Sequence, residues 1–310
     1  MSEVSVLNPI AITDAMLISS TAVEPDTGLL AYNPLTNYAN GEQCVSLVTH
    51  RVYTSQAANN LGHDPTDINN QLGLTVWWLD AGSTNQRRMF DGSNNTQTVV
   101  VSTLTFVLRP GFFNAFYLGN VDAETIAVEL RDAPGGTVIY SYSAALENSQ
   151  PADWYEYDFS PFRPQREFLA SGISPYSTAE LTVTLSSPAD LVKCGLFAIG
   201  DLQPLGTTLK GVEVEPVTSS IFKEDAWGNT TISPRFSSRN MVVSARLDIA
   251  EAGYVTDVLT ETQDKPCLWV GSSSVLYSKT WIFGLGKGKL TYDTPATGYC
   301  ALNVTVKGFK

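Results

Sequence analysis

Short β-strands that recur along the chain constrain its fold most. In residues 99–108 successive side chains alternate between two faces, and both faces become apolar toward Leu108. A strand that is apolar on both faces is typical of a β-sandwich core, because each face packs against other parts of the protein. Little of the chain has the spacing of an amphipathic helix, so the sequence predicts a mainly β protein.

The middle of the chain, residues 83–205, contains several more strands of this kind. They are predicted at 126–131, 137–142, 154–159, 181–185 and 192–200. The turn Asp132–Gly136 joins the first two into a hairpin, while Pro161 and Pro164 suggest that 154–159 is an edge strand. Closely spaced antiparallel strands without long helices predict a jelly-roll-like β-sandwich.

The last part of the chain, residues 206–310, predicts an α+β unit. Strands are expected at 241–248, 267–271, 279–284 and 299–308, with a helix at 251–262. Tyr254, Val255, Val258 and Leu259 share one face of that helix, and Pro266 follows its end. One helix against a small sheet gives the α+β arrangement.

Two shorter segments precede the sandwich. Residues 28–82 contain short aromatic strands separated by Gly and Asn turns, which we interpret as a three-stranded mini-sheet. Residues 1–27 predict an N-terminal leader, extended or partly helical, that we interpret as an interaction segment. A leader of this kind packs either on a neighbouring subunit or on its own domain, and the sequence leaves both possibilities open.

A polar segment, Trp77–Gly92, follows the mini-sheet and leads into the sandwich. It begins with the pair Trp77-Trp78, continues through a hydrogen-bonding loop and ends with Met89-Phe90 and an Asp-Gly turn. Ordering a polar loop costs conformational entropy, so apolar anchors at both ends indicate that the loop is held from two sides. We interpret it as a joint at which the tryptophans close one core and Met89-Phe90 opens the next.

The charge of the chain limits its partners. It has 31 acidic and 19 basic side chains, for a formal net charge of −12. Nucleic acids and anionic membranes attract clustered Lys and Arg, so this balance argues against both as partners. No uncharged apolar run approaches the roughly 20 residues of a membrane helix, and the N-terminus does not resemble a signal peptide.

The cysteines indicate the redox state of the protein. Cys44, Cys194, Cys267 and Cys300 are far apart and form no CxxC pair. A disulfide framework or a zinc site needs local clustering, so we expect buried, reduced thiols. Reduced thiols favour folding in a cytoplasm.

Catalytic and metal-binding patterns yield no candidate site. His63, Asp64 and Asp67 offer metal-ligand types, but in an Asn-rich loop we interpret them as turn residues and expect no metal or cofactor. Gly284–Lys289 lacks the first glycine and the Ser or Thr of a phosphate loop, and we interpret it as a flexible basic turn. No nucleophile elbow or carboxylate pair stands out, so we predict a protein that is not an enzyme.

Aromatic and arginine side chains are the remaining candidates for binding. Tyr32, Tyr53, Trp77 and Trp78 lie in the mini-sheet segment, where exposed rings would stack on a sugar or contact a subunit. Core packing is the alternative for both tryptophans; adjacent strand residues point to opposite faces, which allows one ring in the core and one exposed. Arg87 and Arg88 are candidates for an interface, where they would neutralise acids nearby or on an adjacent subunit.

Two resemblances bear on function. Residues 28–82 carry the order Y…G-E…V…Y…N-x-G-x-x-P…W, which resembles the small chitin-binding-type modules of bacterial chitinases, except that Tyr32 stands where those modules usually carry Trp. The segment Trp77–Gly92 resembles the W…G.TNRW.MFD signature of virion structural proteins in tailed bacteriophages, usually tail or baseplate components. The run from Phe222 to Gly271 and the C-terminal strand resemble the same class.

These resemblances imply a non-enzymatic structural protein located in a phage tail tip or baseplate, folded in the host cytoplasm before assembly. Its expected partners are other tail proteins and further copies of itself in a ring. The first alternative is a carbohydrate- or receptor-binding adhesin that faces the host surface. A capsid decoration protein is the second alternative.

Overall fold

The computed structural model describes residues 3–147, 153–159, 164–209, 211–225, 227–235, 237–292 and 298–309. Its strands are β1 (Glu3–Pro9), β2 (Leu17–Ser20), β3 (Leu30–Ala31), β4 (Asn37–Tyr38), β5 (Gln43–Ser46), β6 (Arg51–Ser55), β7 (Asn60–Leu61), β8 (Trp78–Ser83), β9 (Thr98–Leu108), β10 (Ala115–Gly119), β11 (Thr125–Arg131), β12 (Val138–Ala145), β13 (Glu167–Ala170), β14 (Glu180–Cys194), β15 (Leu196–Thr208), β16 (Glu213–Thr218), β17 (Ile221–Glu224), β18 (Thr230–Ser233), β19 (Ser237–Asp248), β20 (Cys267–Val270), β21 (Trp281–Tyr292) and β22 (Tyr299–Gly308). Its helices are α1 (Ile68–Leu72), α2 (Trp154–Phe159) and α3 (Ala252–Glu261), with 3₁₀ turns at Arg88–Phe90, Ile249–Glu251 and Val275–Thr280. The protein is mainly β, as the sequence predicts.

The middle of the chain forms the predicted sandwich. One antiparallel sheet has the order β12-β11-β14-β9-β2, and it faces a layer made of β13, β10 and the first half of β15. The two layers share one buried core, in which the rings of Phe106 and Phe197 meet edge to face with centroids 5.2 Å apart. The hairpin of β11 and β12 lies where the alternation predicts it. The jelly-roll-like sandwich is therefore confirmed.

The second layer continues into a sheet that closes on itself. Its order is β13-β10-β15-β1-β20-β21-β22-β19-β16, and β15 also pairs with β19. α3 adds Ala252, Val255 and Val258 to the core of this closed sheet, which confirms the predicted α+β unit. Tyr254, expected on the buried face of the helix, is 47% exposed, because Ala252 completes that face instead.

The N-terminal segment contributes strands to both sheets. Residues 3–9 form β1, which lies between β15 and β20 in the closed sheet, with Val4 and Val6 fully buried. Residues 17–20 form β2 at the edge of the sandwich, beside β9. These parts of the predicted leader thus pack within their own chain.

The chain crosses from one sandwich layer to the other at Gly195. The predicted strand 192–200 is divided there, since Cys194 ends β14 in one sheet and Leu196 begins β15 in the other. A Cβ at Gly195 would lie 2.8 Å from the Cβ of Asn120, which leaves no room for a larger residue at this crossing. β15 then runs on past the predicted 205/206 boundary, so one strand serves both the sandwich and the closed sheet.

Residues 28–83 form a small unit between β2 and β9. Its main sheet has four strands in the order β3-β5-β6-β8, one more than predicted, and β4 pairs separately with β7. The pairing of β3 with β5 is parallel and covers only two residues, which is too short for alternation to reveal in the sequence. We call this unit, residues 28–83, the aromatic module.

Two further local predictions are wrong. Residues 154–159 form the short helix α2 instead of an edge strand, and the rings of Tyr155 and Phe159 approach to 4.8 Å across one helical turn. Residues 284–289 lie inside β21 instead of forming a flexible turn.

The glycines explain why this basic stretch is a strand. Gly286 and Gly288 share one face of β21, where an added Cβ would lie 2.1 Å from the ring of Trp269 and 2.5 Å from Leu259 of α3. The alternation Gly-Lys-Gly-Lys therefore is a strand pattern in which glycine leaves space for large core side chains, while Lys287 and Lys289 point outward and are exposed.

All four cysteines are free and buried, as the sequence predicts. Burial raises the pKa of the Cys44 and Cys194 thiols to about 12 and that of Cys267 to about 11.

We expect the folded protein to react very slowly with a thiol reagent at pH 8, and all four thiols to react once denaturant is added. Because the folded-state pKa is raised, stability should fall as the pH rises above about 8.5, where the unfolded thiols ionise. Rapid labelling of the native protein would contradict this assignment.

Candidate functional site

The predicted ligand residues belong to a compact ring cluster in the aromatic module. Tyr38 and Trp78 meet edge to face with centroids 5.1 Å apart, and Tyr32 lies 5.9 Å from Tyr38 and 6.1 Å from Trp78. The indole N–H of Trp78 donates to the carbonyl oxygen of His63 at 2.8 Å. Ring pairs in this geometry and a satisfied indole N–H are what a small buried core requires.

Burial divides the four predicted ligand residues into two pairs. Trp78 is 0% exposed and Tyr53 is 2% exposed, so neither ring has a free face for a ligand. Tyr32 and Trp77 are half-buried at the margin of the cluster. Trp77 stacks on the imidazole of His63 with ring centroids 3.7 Å apart. Tyr32 and Trp77 are thus the two predicted rings that solvent reaches.

The two arginines predicted as interface candidates pair with acids of their own chain. Nη2 of Arg87 lies 2.5 Å from Oδ1 of Asp14, and the Arg87 side chain is only 11% exposed. Nη2 of Arg88 lies 3.8 Å from Oδ2 of Asp26. Both guanidinium groups therefore neutralise carboxylates of the N-terminal segment.

His50 joins the aromatic module to the same carboxylates. Its Nδ1 lies 2.8 Å from Oε2 of Glu24, and its Nε2 lies 2.8 Å from Oδ1 of Asp14. The Thr84 hydroxyl donates to the other oxygen of Glu24 at 2.7 Å. The hydrogen bond with His50, together with the charges of His50 and Arg87, holds the pKa of the Asp14 carboxyl below its ordinary value.

Side-chain amides order the rest of the joint. Asn85 both accepts from the backbone N–H of Val99 at 2.9 Å and donates to its carbonyl at 2.8 Å. Gln86 donates to the carbonyl of Ala22 at 2.8 Å. Trp78 lies in the core of the module and Met89 in that of the sandwich, while Trp77 is only half-buried, so the segment runs from one core to the other.

In the loop that contains His63, Asp64 and Asp67, the two aspartates stabilise a turn and a helix cap. Asp64 accepts from the backbone N–H of Thr66 at 2.8 Å, and Asp67 caps α1 by accepting from the N–H of Asn69 at 2.9 Å. In the described part of the chain, no three His, Cys, Asp or Glu side chains are grouped closely enough to hold a metal ion.

The sequence does not predict the exposed aliphatic surface of the aromatic module. Beside its small aromatic core, the module exposes aliphatic side chains on several elements. They are Leu30, Leu35, Leu47, Val48, Leu61, Ile68, Leu72, Leu74, Val76 and Leu79. Half of them come from residues 68–79, a run that contains no charged residue. The absence of charge in this run is visible in the sequence, but it does not show whether the run is buried or exposed.

A second exposed apolar feature is the hairpin of β17 and β18, which pair only with each other among the described strands. Phe222 and Ile232 lie opposite each other across it and are 60% and 57% exposed. Trp227, in the turn between them, is 88% exposed.

Comparisons with known proteins do not assign a family. No protein-family model matches the chain, and no curated protein matches it. The crystal structure of the F5/8 type C domain of a Bacteroides fragilis protein is similar over 38% of this chain and 80% of that chain, with 13% sequence identity and a TM-score of 0.23. A TM-score this low supports no conclusion about fold or function.

None of the helices in the described residues has the length and apolar character needed to cross a membrane.

The Asp14 ion pairs predict a stability difference that depends on pH. A lowered pKa means that ionised Asp14 stabilises the fold above about pH 4, its unfolded pKa, and that this contribution is lost as the pH falls through the lower folded value. Asp14→Asn should therefore reduce the free energy of unfolding at pH 7 by up to about 1 kcal/mol, since the carboxylate is exposed. The difference from the wild type should shrink below about pH 4. Asp257→Asn, at an exposed position of α3, is the control. A gap that stays constant down to pH 2 would contradict the ion-pair role.

Proposed function

We propose that this chain is a non-enzymatic structural component of a tailed-phage virion, in the tail tip or baseplate, which assembles with copies of itself and with neighbouring tail proteins. The observation that carries this proposal is the uncharged run 68–79, with Ile68, Leu72, Leu74, Val76 and Leu79 on the surface. We call it the apolar edge of the module.

The chemistry of the apolar edge fits an interface core. Isolated exposed apolar residues are ordinary, but a group of them marks an interaction surface, and interface cores are depleted of charge. Each copy of the chain also carries a net charge of −12, so copies repel one another at a distance. An uncharged contact surface lets them associate without bringing further carboxylates together.

The location in a phage tail is supported by sequence. The segment from Trp77 to Gly92 resembles the tail-protein signature, and here it forms an ordered joint between two cores. A joint that is fixed by buried anchors on both sides would hold the apolar edge in a defined direction relative to the sandwich, as a ring of repeated subunits requires.

Self-association is the first test. We expect the purified chain to form a defined oligomer in sedimentation velocity experiments, and Leu72→Ser combined with Leu74→Ser to shift it to monomer. Exposed positions tolerate such changes, so the monomeric variant should still fold, with an unchanged circular dichroism spectrum. The control is Val101→Ser, at a 74% exposed position on the sandwich. A wild-type chain that stays monomeric, or an oligomer that the double variant does not alter, would rule out the apolar edge as an interface between copies.

Purified phage particles test the location. Mass spectrometry of particles from a strain that encodes the chain should detect it, and particle imaging should place it in the tail with a fixed copy number. Its absence from the particles would refute the virion assignment.

A second candidate function is glycan binding by the aromatic module, favoured by the half-buried rings of Tyr32 and Trp77 at its surface. On a glycan array, Trp77→Ala should abolish any specific signal, because a sugar face stacks on an accessible indole. Trp227→Ala, which removes a more exposed indole elsewhere, is the control. A wild-type chain with no specific glycan signal would leave this candidate without support.

A further inference from the structure

A polar cleft of about 410 Å³ lies where the sandwich meets the closed sheet, a volume in the range of small-molecule sites. Tyr117 of β10 and Glu167 of β13 line it from the sandwich, Arg239 of β19 lines it from the closed sheet, and Lys279 lines it from the 3₁₀ turn 275–280. We propose that this cleft binds a hydroxylated carboxylate, such as a uronic acid residue of an acidic saccharide. The inference is independent of the proposed function.

The cleft carries an excess of positive charge. Arg166, Arg239 and Lys279 line the cleft, and Glu167 is its one carboxylate among the residues that the structure describes. Arg239 donates to Oε1 of Glu167, whereas Arg166 is exposed and has no ion-pair partner in the described part of the chain. A local excess of cations in a chain of net charge −12 concentrates a small anion at this place.

The cleft also contains two buried acceptors that lack donors. Within the described residues, Oε2 of Glu167 and Oδ1 of Asn94 are buried and have no hydrogen-bond donor, and Nζ of Lys279 lies 3.8 Å from Oε2. The Glu167 side chain is only 10% exposed and lines the cleft, so its lost hydration is costly unless a donor in the cleft replaces it. Buried acceptors without donors are rare because they lose their hydration without compensation.

The positive charge and the unmatched acceptors together define the ligand. Sulfate neutralises the cations but has only hydrogen-bond acceptors. A neutral sugar has hydroxyl donors but no negative charge. A hydroxylated carboxylate supplies both, with its carboxylate toward Arg166 and Lys279 and a hydroxyl toward Glu167.

The walls of the cleft fit such a ligand. Ser237 and Ser238 add neutral hydrogen-bonding groups, and Phe309, half-buried at the margin, offers an apolar ring. Burial, followed by the nearby Glu167 charge, raises the pKa of Tyr117, so its hydroxyl stays protonated at neutral pH.

Isothermal titration with glucuronate, glucose, acetate and sulfate tests the proposal on the full chain. Glucuronate should bind, glucose and acetate should bind at least about tenfold more weakly, and added salt should weaken the glucuronate complex. Equal binding of acetate or sulfate would identify an adventitious anion site only and would overturn the proposal. The absence of glucuronate binding would also overturn it.

Three variants test the location of the binding. Arg166→Gln combined with Lys279→Gln should weaken glucuronate binding by about tenfold or more, and both positions are exposed enough to spare the fold. Arg235→Gln combined with Lys223→Gln removes the same charges outside the cleft and should have no effect. Glu167→Gln keeps the shape of the side chain and should reduce the preference for glucuronate over acetate. Unchanged binding in the Arg166 and Lys279 double variant would place the ligand elsewhere and refute the proposed cleft.

Discussion

The continuity of β15 is the constraint on which the other parts of the structure depend. Its first residues pair with β10 and bury Phe197 and Ile199 in the sandwich, and its later residues pair with β1 and β19 in the closed sheet. A strand cannot slip by one residue without turning every side chain to the opposite face, so one strand fixes the register of two cores at once. The two bodies consequently share a rigid element instead of a linker. The proposed uronate cleft lies at this shared boundary, where rigid walls from both sides can hold a ligand.

The sequence predicts those elements whose residues alternate over a long span. β9, the β11–β12 hairpin and the inward face of β19 follow from period-two alternation, and α3 follows from its apolar spacing. Prediction from the sequence fails for elements that depend on contacts with residues far away in the chain. β1 depends on strands more than 190 positions away, and β21 is a strand because Trp269 and Leu259 need the space left by its glycines. Among the candidate residues, nothing local distinguishes buried Trp78 from half-buried Trp77, and α1 is too short for its exposed Leu72 to be foreseen.

The basic side chains of this acidic protein have two roles, in ion pairs at the joint and as positive charge in the cleft. At the joint, Arg87 and His50 share Asp14, which ties the N-terminal segment, the aromatic module and the sandwich together. In the cleft, Arg239 is neutralised by Glu167, while Arg166 is exposed and has no ion-pair partner among the described residues. The same residue type therefore stabilises tertiary structure in one place and leaves positive charge at the surface in another. The difference lies in the number of carboxylates nearby, which sequence spacing does not reveal.

The position of β1 has a consequence for how the protein is made. Ser5 pairs with Val270, so the closed sheet lacks a neighbour for one side of β1 until nearly the whole chain has left the ribosome. At ordinary elongation rates this delay is on the order of tens of seconds. During that time the sandwich strands can pair, whereas β1, with Val4 and Val6, still lacks its neighbour β20. A strand that is synthesised late thus completes one that is synthesised early, and β1 gains its second neighbour only after Val270 has been translated.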